Sequence, residues 1–355
     1  MSTTAPSRAV RSDGRRRRTQ RIAAIGAIAV VASVVVWRLG RDEPAAIVTP
    51  SATVTPGRSA LLVFAVTGGA EAHVAVIGSG GGRDPAAVVL APELTVVAPG
   101  QGDRTIEALA EGDGAALRAA VSNGIGVWAS RYGVMDLDGL GAVVERGGGL
   151  TVDLPDAYPL GAAVLGPGET SMDARQVMAL LAEPSNDGTL RFLAVLQALL
   201  AGGPAVQQID FAQSDDATGA AAILGTARGA TVEVAPTEIF AGTIEIPAQP
   251  AFDDLMASLF GATPPVRVIV QNGSGRPGVG QAVAERLLPA GFRIVISENA
   301  ETFDHAQTEI TAHGTEHESD AVLAQQSLGV GSVVVSEVAS GFADVTIVVG
   351  KDFTR

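Results

Sequence analysis

Three glycines in the last quarter of the chain, Gly273, Gly275 and Gly278, spell G-x-G-x-x-G within VRVIVQNGSGRPGVGQAVAERLLPAGFRIVISENA, residues Val266 to Ala300. Before them Val266, Val268 and Val270 alternate as a buried strand does. After them Val279 to Leu288 carry helical spacing. A glycine turn leading into a helix can cradle a phosphate, because backbone N–H groups and the helix dipole both favour an anion there. Glu298 follows the last glycine by about 20 residues, where a dinucleotide site places the acid that holds its ribose. On local grounds Asn272, Gly273, Gly275 and Gly278 are candidate binding residues for a nucleotide.

His313 and His317 stand four apart beside Glu316 and Glu318, which is metal-ligand spacing on a helix. Gly314 and Thr315 lie between them and no third ligand is evident, so a solvated loop is expected and no metal site. His73 is expected at a strand end. No G-x-S-x-G elbow or Ser/His/Asp set emerges. Asn272-Gly273-Ser274 matches a glycosylation sequon, but a turn explains it. The absence of cysteine excludes thiol catalysis and disulfides.

The elements around the glycine turn limit what it can hold. After the strand, turn and helix come strands at Phe292 to Ser297 and Glu309 to Thr311, a helix at Ser319 to Leu328, and strands at Ser332 to Glu337 and Asp344 to Val349. A full dinucleotide fold needs two βαβαβ halves, and this α/β module has room for barely one. Upstream, apolar runs at Leu61 to Val66, Ala72 to Ile77, Ala86 to Leu90 and Leu150 to Leu154 read as strands. Helical patterns cover Thr105 to Ser122, Asp136 to Glu145, Met172 to Glu183 and Thr189 to Leu200. Ala205 to Ile209 and Thr231 to Val234 read as strands around an alanine-rich helix. The expected fold class is therefore mixed α/β, in a larger domain at 59–245 and a smaller one at 266–355. Between them 246–265 reads as a linker, because Pro247, Pro250, Pro264 and Pro265 flank one short helical segment, Phe252 to Phe260.

Charge is unevenly placed. Residues 1–21 hold seven of the 24 basic residues and one of the 38 acidic ones, leaving 17 against 37, a net of −20, in the remainder. A body that acidic excludes nucleic acid as a general partner. The arginine-rich tail abuts IAAIGAIAVVASVVVW, Ile22 to Trp37, about 24 Å of apolar helix. Extended through Leu39, this reads as a transmembrane signal anchor at 22–39 with the tail at 1–21 on the cytoplasmic side. The Pro- and Thr-rich segment at 40–58 reads as a stalk. The expected location is the cell membrane, single-pass, with the bulk of the chain outside the cytoplasm.

The C-terminal module resembles the LytR C-terminal domain of envelope proteins. The resemblance rests on the N-G-x-G-x-x-G turn, Gly291-Phe292, Asn299-Ala300, Thr308-Glu309-Ile310 and the closing VTIVVGKD, Val345 to Asp352. It covers residues 266–353 and implies that the glycine turn is a geometric device rather than a nucleotide cradle.

The larger domain resembles the LytR-CpsA-Psr catalytic domain, which transfers lipid-linked anionic polymers onto peptidoglycan. The segments that carry this are Val134 to Leu154, Val164 to Leu181 and Leu90 to Gly102. Such chemistry needs arginines against a pyrophosphate and an acid to hold a metal. This chain departs at those places. Pro92-Glu93-Leu94 stands where the family has P-R-D, and Leu180-Leu181-Ala182-Glu183 lacks the expected arginine. Of a later arginine pair only Arg191 aligns, with Gly188 at the other position, and Arg83-Asp84 lie too near Pro92 to substitute.

The expectation is a degenerate, non-catalytic domain with no catalytic residues and no cofactor, in which Arg191 is a binding residue. The resemblance implies a polyprenyl-linked or peptidoglycan ligand and active relatives as partners. A second reading is a divergent phosphotransferase using Arg191, Arg175 or Arg131, which requires those arginines to converge. A third is a nucleotide sensor at the glycine turn.

Overall fold

The computed structural model describes residues 60–160, 163–184, 187–202 and 209–354. The basic tail, the anchor at 22–39, the stalk at 40–58 and residues 205–208 of an expected strand lie outside the described residues. Among the described residues no helix is long and apolar enough to cross a membrane.

The larger domain contains strands β1 (Ala60–Thr67), β2 (His73–Gly80), β3 (Arg83–Leu90), β4 (Thr95–Ala98), β5 (Gly102–Thr105), β6 (Arg131–Asp136) and β7 (Leu150–Leu154). Then come β8 (Tyr158–Leu160), β9 (Ala163–Leu165), β10 (Gly168–Met172), β11 (Gln213–Ser214), β12 (Thr231–Val234), β13 (Thr237–Phe240) and β14 (Ile244–Pro247). Its helices are α1 (Ile106–Ala110), α2 (Gly114–Ile125), α3 (Leu137–Arg146), α4 (Ala174–Ala182), α5 (Gly188–Gly202), α6 (Ala217–Thr226) and α7 (Ala251–Phe260).

A mixed sheet in the order β11-β6-β1-β2-β3-β12 forms the middle layer. Alternate residues of β1 face opposite sides. Leu62, Phe64 and Val66 join a core with α3, α4, α5 and α6, while Leu61, Val63 and Ala65 join one with α1, α2 and α7. A strand buried on both faces must be apolar throughout, and ALLVFAVT is nearly so.

Two expectations are corrected. The helix expected over Thr105 to Ser122 is two helices, because Asp113 caps a new start and its carboxylate accepts from Ala115 N. The stretch 246–265 is not a linker over most of its length: β14 enters it and α7 buries Phe252, Met256 and Phe260 in the larger domain's core. Apolar residues at i, i+4 and i+8 make one helix face, and that spacing outweighs the flanking prolines.

The smaller domain is built from β15 (Val266–Asn272), α8 (Val279–Leu287), β16 (Phe292–Asn299), β17 (Glu309–His313), α9 (Glu318–Leu328), β18 (Ser332–Ser336) and β19 (Val345–Val349). Its sheet runs β16-β15-β19-β17-β18, parallel except between β17 and β19. α8 and α9 bury Val279, Val283, Leu287, Ala321 and Leu328 on Val268, Val270, Ile347 and Val349.

The two domains meet at the β16 edge. Asn123 of α2 is buried, and its side-chain amide pairs with the backbone of Ile294 as a neighbouring strand would. Ile294 N donates to Asn123 Oδ1 at 2.7 Å, and Asn123 Nδ2 donates to Ile294 O at 2.8 Å and Val97 O at 3.1 Å. Arg293 donates from Nη2 to Gly124 O at 3.2 Å and to the Asp253 carboxylate at 3.1 Å.

Candidate functional site

The glycine turn folds as strand, turn and helix, with Gly278 in the left-handed region at φ 74° ahead of α8. The polar groups of Asn272, Gly273, Ser274 and Arg276 are engaged within the protein. Asn272 Oδ1 accepts from Ser274 N at 3.1 Å and from Ser274 Oγ at 2.9 Å, while Asn272 Nδ2 donates to Arg276 O at 2.9 Å. Gly273 N donates to Val349 O at 3.0 Å, and Arg276 N to Ser274 Oγ at 3.3 Å. Gly275 packs under Phe303.

The first turn of α8 is also covered. The turn between β4 and β5 lies on it, so that a Cβ at Gly280 would stand 2.6 Å from Gly100 Cα, and Gly100 N donates to Ser297 Oγ at 2.8 Å. Where a fingerprint would place a pyrophosphate, this chain places another part of itself. Glu298, the ribose-acid candidate, accepts from Gln271 Nε2 at 2.9 Å. Sequence reasoning missed Gly100, Gly280, Asn123 and Ser297, whose pairing spans the two domains.

The two histidines are not in a solvated loop, which corrects that expectation. His313 ends β17, half-buried, with Nε2 2.8 Å from Thr346 Oγ1. His317 Nδ1 lies 3.0 Å from Asp320, and its Nε2 3.7 Å from Asp344, which also pairs with Arg267 at 2.7 Å. Burial pushes the Asp344 carboxyl up, but the Arg267 hydrogen bonds and charge prevail and hold it below its ordinary value. Asp344 thus joins Arg267 and His317, while His313 is held by the Thr346 hydroxyl. Among the described residues no three His, Cys, Asp or Glu side chains form a metal-holding group.

A cleft of about 560 Å³ opens in the larger domain at the C-terminal ends of β1 and β3, lined by Glu71, Pro92, Glu93, Pro184, Gly188, Thr189 and Glu245. It brings together Pro92-Glu93 after β3, Pro184 after α4 and Gly188 at the start of α5. Three lining side chains are carboxylates and none is basic. The field reaches Glu107, whose carboxyl is pushed up by burial and then by the charges of Glu111, Glu93 and Glu71. Glu71 lies against Gly188 at the start of α5, so the helix end that would attract a phosphate meets a carboxylate of the protein.

Arg191 does not line this cleft. It is 9% exposed, stacks its guanidinium over the Tyr158 ring at 4.6 Å and donates from Nη1 to Leu180 O at 3.3 Å. Arg131 is elsewhere, held by Asp216 at 3.0 Å, and Arg175 is exposed at the start of α4. Arg83, at the far end of β3, donates from Nη1 to Ser258 O at 3.0 Å. The arginines are not brought together.

Beneath the sheet, Phe64, Met135, Leu140, Val143, Leu196 and their neighbours leave a void of about 10 Å³. That is about the space of one water. His73 stacks on Phe192 at 5.0 Å with Nε2 3.3 Å from Leu181 O, and burial lowers its pKa.

Residues 265–353 match the family model described as LytR cell envelope-related transcriptional attenuator. No curated protein matches the chain in sequence. Among solved structures, B. subtilis TagV overlaps 59% of this chain and 100% of its own at 13% identity and a TM-score of 0.47. A LytR-Csp2A-Psr enzyme from Actinomyces oris overlaps 58% of this chain and 90% of its own at 19% identity and a TM-score of 0.44. The LytR-CPS2A-psr family protein YwtF (TagT), with bound octaprenyl pyrophosphate lipid, overlaps 61% and 96% at 14% identity and a TM-score of 0.46.

Proposed function

We propose, from a C-terminal domain of LytR type at residues 265–353, that this chain is a membrane-anchored envelope protein that binds in cell-wall polymer assembly without catalysing transfer. The observation that carries the reading is the acidic cleft, where Glu71, Glu93 and Glu245 stand without a lining arginine. A pyrophosphate brought there would meet carboxylates at close range, and among the described lining residues no side chain is cationic. An uncharged glycan strand or a cationic group on a partner suits the same walls. The segment at 22–39 supplies the anchor in this reading.

The test is calorimetry of the full chain in nanodiscs with peptidoglycan glycan fragments. Saturable heat that survives removal of Mg²⁺ and is lost in Thr189→Trp, which fills the cleft, is expected. No heat from the unaltered chain contradicts glycan binding.

One observation favours the alternative, a divergent phosphotransferase: Arg191 Nε is buried without a hydrogen-bond partner beside Tyr158. Those groups are the place to look for a residual anion site.

A further inference from the structure

The smaller domain treats the two edges of its sheet differently. An uncovered edge strand presents unpaired N–H and C=O groups, and proteins usually blunt it with charge, proline, a bulge or a covering element. The β16 edge is covered by Asn123 and Arg293 is ion-paired there. The β18 edge, Ser332-Val333-Val334-Val335-Ser336, carries no charge and no proline, and is the last strand of the sheet.

Its hydrogen-bonding direction can be read residue by residue. Ser332 N donates to Thr308 O at 3.0 Å and Ser336 O accepts from Gly314 N at 2.8 Å, so these residues, and Val334 between them, turn their peptide groups toward β17. By alternation Val333 and Val335 turn theirs outward. Their side chains pack on the α8 and α9 side of the sheet, which leaves Val334 on the opposite face. Val338, at 42% exposure, follows two residues after the strand and adds apolar surface at its end.

We propose that this edge is a self-association site, in which β18 pairs antiparallel with β18 of a second copy about a two-fold axis at Val334. The pattern S-V-V-V-S reads the same in both directions, so this register puts Val333 opposite Val335 of the other copy. Both have outward peptide groups, and each such pair exchanges two N–H···O bonds. Val334 meets its own image as a non-hydrogen-bonded pair, and Ser332 meets Ser336. No charge opposes its like within the strand, and an isologous contact of this kind closes at two copies. The sheets join into one across the axis, with Val333 and Val335 extending the apolar layer under the helices.

The chain has no cysteine, so one introduced thiol reports one contact. At the axis the Cα atoms of a non-hydrogen-bonded pair lie about 4.5 Å apart, within disulfide reach. In full-length protein in nanodiscs or in cell membranes, Val334→Cys under mild oxidation is expected to give a disulfide-linked homodimer, while Glu301→Cys, exposed beyond the opposite edge, gives no disulfide-linked species. Val334→Lys, which sets like charges against each other at the axis, is expected to lose the dimer mass seen for the unaltered chain. Equal cross-linking at both cysteines, a monomeric mass for the unaltered chain, or an adduct of Val334→Cys with a different polypeptide in place of the homodimer would overturn the proposal. Cysteine approximates valine in size, so this arm does not depend on the lysine variant folding.

Discussion

Asn123 of the larger domain makes two hydrogen bonds to the backbone of Ile294 in the smaller one. Removing it leaves the Ile294 N–H and C=O buried without partners, and an orphaned buried group costs about 1–3 kcal/mol. Asn123→Ala is therefore expected to lower the urea midpoint and to speed amide exchange at Ile294. An unchanged exchange rate there would contradict the role. His73 gives a second prediction at this scale. Burial lowers its pKa, against the Leu181 carbonyl and Glu71, which raise it. Between that lowered value and about 6.5 the unfolded chain binds the extra proton. The stability contribution is therefore intact above about pH 6.5 and lost as pH falls toward the folded value. His73→Phe keeps a ring against Phe192 and should make the urea midpoint less sensitive to pH between about 7.5 and 5.5. A slope equal to that of the unaltered chain would refute it.

Among the elements, the glycine turn is where the sequence is most easily misread. Its strand–turn–helix order was legible from the valine alternation and the glycine spacing, because both follow from local chain geometry. What the turn faces was not legible: Gly280 and Gly100 are 180 residues apart, and neither marks the other in the sequence. Gly280→Ala would press a methyl group onto the Gly100 backbone. The expected result is faster protease cleavage between residues 261 and 265 as the domains separate, and an unchanged digestion pattern would mean that the contact is dispensable. Titration with ATP or NAD is expected to give no heat, since the β4–β5 turn lies on the first turn of α8. The α7 helix teaches the complementary lesson: four prolines suggested a linker, while Phe252, Met256 and Phe260 already held the spacing of a buried face. In 59–245 periodicity located β1, β2, β3, β7, β12 and the helices, but not β6 of the central sheet or the short strands β4, β5, β8 to β11, β13 and β14. The partners of Arg191 and Arg131 were not, because side-chain destinations depend on distant segments.

For the whole molecule, the acidic balance and the acidic cleft belong together. Glu93 and Gly188 are far apart in the sequence, and the fold places them around a single opening with Glu71 and Glu245. Three carboxylates around one cleft oppose the approach of a pyrophosphate. The most direct test is turnover. Full-length protein in nanodiscs, with Mg²⁺, peptidoglycan and a polyprenyl-pyrophosphate-linked glycan, is predicted to release no polyprenyl phosphate above the protein-free level. Release that persists in Glu93→Ala and disappears in Arg191→Ala would contradict the account and assign the chain to the transferases.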